Sequence, residues 1–62
     1  QGGGLKVNHR YVVEDGYFGV WEPFKSFRFY WTATRAKKKF DYQYKFSFSE
    51  FRIIDSKTGE IV

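Results

Sequence analysis

The side chains able to do acid–base, nucleophilic or metal chemistry are few and poorly spaced for it. His9 is the single histidine, and a lone imidazole on the inward side of a strand reads as a hydrogen-bonded structural group. The seven carboxylates are Glu14, Asp15, Glu22, Asp41, Glu50, Asp55 and Glu60. They recur at no spacing that builds a cation cage or a carboxylate pair sharing a proton. Ser47, Ser49 and Ser56 lack a second base that could activate a hydroxyl. The chain has no cysteine, which removes thiol chemistry, thiolate metal sites and disulfides. The opening "QGGG" lacks the Lys-Ser/Thr pair and following helix of a phosphate-binding loop. These residues predict no enzyme, no metal and no cofactor.

Another chemistry is far better represented. Two Trp, five Tyr and eight Phe fall within 62 residues, and the formal net charge is +4. Flat rings interleaved with cations are the working parts of proteins that bind nucleic acid without reading its sequence. The rings stack on bases and the cations neutralise phosphates. Arg35, Lys37, Lys38 and Lys39 form a basic run with no acid among them. The question is which rings and cations share an exposed face, and that depends on the elements that carry them.

Alternation of apolar and polar residues dominates, the pattern of half-buried strands. In "LKVNHRYVV", Leu5, Val7, His9, Tyr11 and Val13 share one side. Asp15-Gly16 reads as a two-residue hairpin turn, which sets Val13 opposite Phe18 and Tyr11 opposite Val20. Arg10, Tyr17, Gly19 and Trp21 then lie on the other side. Pro23 cannot donate to a ladder and marks a connection. "SFRFYWTAT" resumes the alternation, and Ala36 to Lys39 reads as a four-residue loop on a type I turn. "FDYQYKFSF" follows, with a ring at every second position. That register pairs Ala33 with Tyr42, Trp31 with Tyr44, Phe29 with Phe46 and Phe27 with Phe48, all facing a core. The phase slips after Phe48, and "SFSE" fits a capping box, predicting one turn of 3₁₀ helix. "FRIID" reads as a core strand, "SKTGE" as a hairpin loop with Gly59 left-handed, and "EIV" as a short last strand.

This predicts an all-β fold, a small five- to six-stranded antiparallel meander. Its element order resembles the layout of SH3-like barrels, although the "ALYDY"-type signature of peptide-binding members is absent. An OB-fold, or a curved sheet completed by a second copy, are the alternatives. Residues 1–4 read as a flexible leader and residues 5–62 as one domain. No stretch is apolar enough for a membrane span, and the lack of cysteine fits an intracellular setting.

On this layout Arg10, Tyr17, Trp21, Arg28, Tyr30 and Lys45 form one outward patch, edged by Arg35, Lys37, Lys38 and Lys39. The functional expectation is a nucleic-acid-binding module of low sequence specificity, with single strands slightly ahead of duplex because of the exposed rings. Nine inward rings are a heavy load for one small barrel. That supports the competing expectation, a protein-interaction or homo-oligomerising module, or an engineered β scaffold with no nucleic-acid ligand.

Overall fold

The structure, a computed structural model, describes residues 9–62; the expected leader and the Leu5 and Val7 positions lie outside the described residues. The chain runs β1 (Tyr11–Tyr17), β2 (Val20–Phe27), α1 (Tyr30–Gln43), β3 (Ser49–Asp55) and β4 (Glu60–Ile61). The strands form one antiparallel sheet in the order β2-β1-β3-β4, and α1 packs across it, touching β3 more than β1 or β2. The fold is mostly sheet, as the alternation implies. The described residues form an open four-stranded sheet with one helix, not a closed barrel of five or six strands.

The first hairpin exists, but its turn is displaced. β1 continues through Asp15 and Gly16, and the turn falls at Phe18 and Gly19, with φ of 52° and 83°. Both central residues therefore have positive φ, as a type I′ hairpin turn demands. Gly16 serves a different need: the Trp21 ring lies across it, so a Cβ there would sit 2.7 Å from the ring. The register becomes Tyr17 opposite Val20, Asp15 opposite Glu22 and Tyr11 opposite Phe27. It replaces the expected Val13–Phe18 and Tyr11–Val20 pairs. Pro23 lies inside β2, an edge strand where its missing N–H leaves no ladder position empty. The register also slips beside it: Glu14 faces Pro23 while Val13 faces Lys25. Phe24 is the extra residue of this bulge, and its ring reaches Phe40 and Phe51, with centroids 5.0 and 5.5 Å away.

The larger correction concerns residues 26–48. The expected second hairpin is a 14-residue helix. Ala33, Ala36, Phe40 and Tyr44 recur at steps of three and four, which a helix turns to one side together with Lys37. Ala33 is fully buried, and Ala36, Lys37 and Phe40 are partly buried. Ala, Arg, Lys and Gln favour a helix, whereas "AKKK" offers a tight strand turn nothing. Of the five alternating rings only Phe40 and Tyr44 reach the core side. There Phe40 and Tyr44 stand 5.5 and 5.7 Å from Phe51. Tyr42, Phe46 and Phe48 are exposed, so the expected buried pairs do not form. Residues 44–48 are a turn and bend, with no 3₁₀ helix.

The C-terminal part follows the pattern read from the sequence. Phe51, Ile53 and Asp55 on β3 are buried in strict alternation. Gly59 has φ 80° and its N–H donates to the Asp55 carbonyl at 2.6 Å. The core is Val13, Ala33, Phe51 and Ile53, with Tyr11, Phe27 and Phe40 packed against it.

Candidate functional site

The residues expected to form one patch are distributed over three surfaces. Arg10 is committed to the fold: its Nε donates to Asp55 Oδ1 at 2.8 Å and its Nη2 to Oδ2 at 2.9 Å. The bonds from Arg10 hold the buried Asp55 carboxyl below the usual carboxylate range against the opposing effect of burial, and the Lys57 N–H adds to them. Trp21 lies on the sheet face opposite α1. The Arg52 guanidinium sits 4.0 Å above the Trp21 ring centroid, and Arg52 Nε donates to Glu14 Oε1 at 2.9 Å. Tyr17 is at the hairpin end. Tyr30 opens α1 and meets Tyr11 edge-on at 5.5 Å. Arg28 is exposed in the bend between β2 and α1. His9 is exposed, not inward-facing.

The remaining expected cations come together on α1. Trp31, Arg35, Lys38, Tyr42 and Lys45 follow one another at alternate steps of four and three, so they trace a single line along the outward side of the helix and past its end. All five are exposed. The Arg35 guanidinium is 5.9 Å from the Trp31 ring centroid, and Lys45 Nζ is 4.5 Å from that of Tyr42 and 5.2 Å from that of Phe46. Trp31, Thr34, Arg35 and Lys38 enclose a shallow hollow of about 300 Å³. Lys39 is exposed beside the line, whereas Lys37 is paired with Asp41 at 2.9 Å.

Charge is partitioned as sharply as the rings. Residues 30–45 carry Arg35, Lys37, Lys38, Lys39 and Lys45 against Asp41 alone, and the rest of the chain has six bases and six acids. The whole net charge of +4 therefore belongs to α1 and the turn after it. Arg35, Lys38, Lys39 and Lys45 make no ion pair among the described residues.

The strand pattern assigns Trp31, Tyr42 and Phe46 inward. The signal that places Trp31 and Tyr42 outward is the step of four and three shared with Arg35 and Lys38, whereas Phe46 lies past the helix end in the turn. Among the described residues no cluster of His, Asp or Glu could hold a metal ion, and no helix is long and apolar enough to cross a membrane. No protein-family model matches this sequence, and neither a curated protein nor a solved structure matches the chain.

Proposed function

We propose that this domain binds nucleic acid with low sequence specificity through the outward face of α1. The observation that carries the reading is the coincidence on one helix face of the entire charge excess with exposed rings. Unpaired cations on a surface release counterions when they meet phosphates, and that release drives sequence-independent affinity. Trp31 and Tyr42 offer the flat faces on which unpaired bases stack, each worth roughly 1–3 kcal/mol. Single strands, whose bases are free to stack, fit this face better than duplex. The reading is of a binding module without catalysis, since the polar residues with titratable chemistry lie apart or are bonded within the fold.

The test is titration of labelled single-stranded DNA, single-stranded RNA and duplex DNA at low and at high salt. The reading predicts binding that falls steeply with ionic strength and differs little between sequences. Replacing Arg35, Lys38, Lys39 and Lys45 by Gln lowers the slope of log affinity against log salt by about 0.7 for each single-strand phosphate that is no longer neutralised. Absence of salt-sensitive binding at low ionic strength to all three probes contradicts the reading.

A further inference from the structure

At the hairpin end, exposed apolar surface reaches the upper end of what the largest patch on a monomer carries, and such patches mark interaction sites. The β1–β2 turn and the loop from α1 to β3 meet there, because Tyr17 is paired with both Val20 and Ser49. Tyr17 is 52% exposed, Phe18 72%, Phe46 94% and Phe48 71%. Tyr17, Phe18 and Phe48 are already in ring contact, with successive centroids 4.5 and 5.4 Å apart. Phe46 is in contact with no other ring among the described residues, and the Lys45 ammonium lies 5.2 Å from its ring centroid. Next to these rings is a hollow of about 400 Å³ floored by Gly16 and walled by Phe18, Trp21 and Phe48. Phe18 holds its place at a φ of 52°, a backbone state that disfavours any residue with a side chain.

We propose that this end is the contact surface of a two-fold homodimer, in which Phe46 of each copy enters the hollow between Phe18, Trp21 and Phe48 of the other. Three observations select a second copy as the occupant. A knob without a ring partner among the described residues and a ring-lined hollow lie on the same end, which is what a self-complementary contact requires. The end also carries both signs of charge: Glu50 borders the hollow and Glu22 lies beside Tyr17 and Phe18 on the hairpin side, while Lys45 lies beside Phe46 on the helix side. A two-fold axis passing between these two sides sets each sign against its opposite. The area is of the right size: taking about 200 Å² for a whole aromatic side chain, the exposed parts of these four rings amount to nearly 600 Å². Val20 and the charged rim bring this close to the roughly 800 Å² per partner of a stable interface.

The experiment is sedimentation equilibrium of the whole chain without nucleic acid, from micromolar to millimolar concentration. The average mass is expected to rise from one chain to two and to stop there. Phe46→Glu is expected to weaken the association at least about tenfold, as for a central anchoring ring, with an unchanged far-ultraviolet circular dichroism spectrum. Phe18→Gly is expected to weaken it likewise while unfolding at no lower urea concentration, because glycine accepts the left-handed turn. A wild-type mass of one chain throughout overturns the proposal. So does a mass that grows beyond two chains without a plateau, or a Phe46→Glu or Phe18→Gly variant that associates as the wild type does. Because no nucleic acid is present, either result leaves the α1 reading to its own titration.

Discussion

The sheet and the helix use the same kind of side chain for opposite ends. On the sheet, Arg10 closes on Asp55 with two hydrogen bonds, and Arg52 lies between Glu14 and the Trp21 ring. On α1 and the turn after it, Arg35 and Lys45 have rings beside them, and among the described residues neither they nor Lys38 and Lys39 pair with a carboxylate. A cation with a carboxylate partner in the fold stabilises the fold and has little left to offer a ligand. A cation without one stays hydrated and available, and its charge adds to that of its neighbours. Composition counts both kinds alike, so a net charge says nothing about where the available cations are until the acids are placed.

Removing a side chain from the core face of the sheet should therefore damage folding, and removing one from the outward line of α1 should not. The largest effect belongs to Phe51, which touches Phe24, Phe40 and Tyr44 at once. Phe51→Ala is expected to cost about 3–5 kcal/mol, comparable to the whole stability of so small a domain. Urea denaturation should find it largely unfolded, whereas Lys38→Ala should stay within about 0.5 kcal/mol of wild type. Gly16→Ala comes next: its Cβ would press on Trp21 at 2.7 Å and lift the ring from beneath Arg52. A cost of about 1–3 kcal/mol is expected, with a shift in Trp21 fluorescence. Phe18→Gly should act in the other direction, stabilising the monomer by up to about 1 kcal/mol as the left-handed strain is relieved.

The smallest effect is the pH dependence contributed by Asp55. Its folded carboxyl titrates below the unfolded value of about 3.9, so the folded state binds the proton less readily than the unfolded one. The stabilisation is present above the unfolded value and is lost as pH falls through the folded one. Acid denaturation of Asp55→Asn should lack this component, and an identical acid limb in the two proteins would show that the Arg10 pair contributes nothing.

The fold is legible in the sequence where each local signal has one meaning. In β3 the alternation of Phe51, Ile53 and Asp55, followed by a turn that needs Gly59, has no helical counterpart. In residues 26–48 two periods overlap. Phe40, Tyr42 and Tyr44 alternate as a strand would, while Ala33, Ala36, Phe40 and Tyr44 step as a helix does. The rings point toward the strand, although the small residues and lysines set the structure. The Asp15-Gly16 signal is ambiguous in another way. Glycine serves a positive φ or a close approach equally well, and only the position of Trp21 shows which applies. The candidate site is legible only in part for the same reason. Its lysines stand out in any secondary structure, whereas Trp31 and Tyr42 join them only on a helix.

The two tryptophans report separately on the two surfaces, since Trp21 lies on the sheet and Trp31 on α1. Single-tryptophan proteins, Trp21→Phe and Trp31→Phe, would each be titrated with single-stranded oligonucleotide at low salt while their fluorescence is followed. Trp31 is expected to be quenched by base stacking, and Trp21, held beneath Arg52, to be unchanged. Quenching of Trp21 with Trp31 unaffected would place the binding surface on the sheet and contradict the assignment to α1.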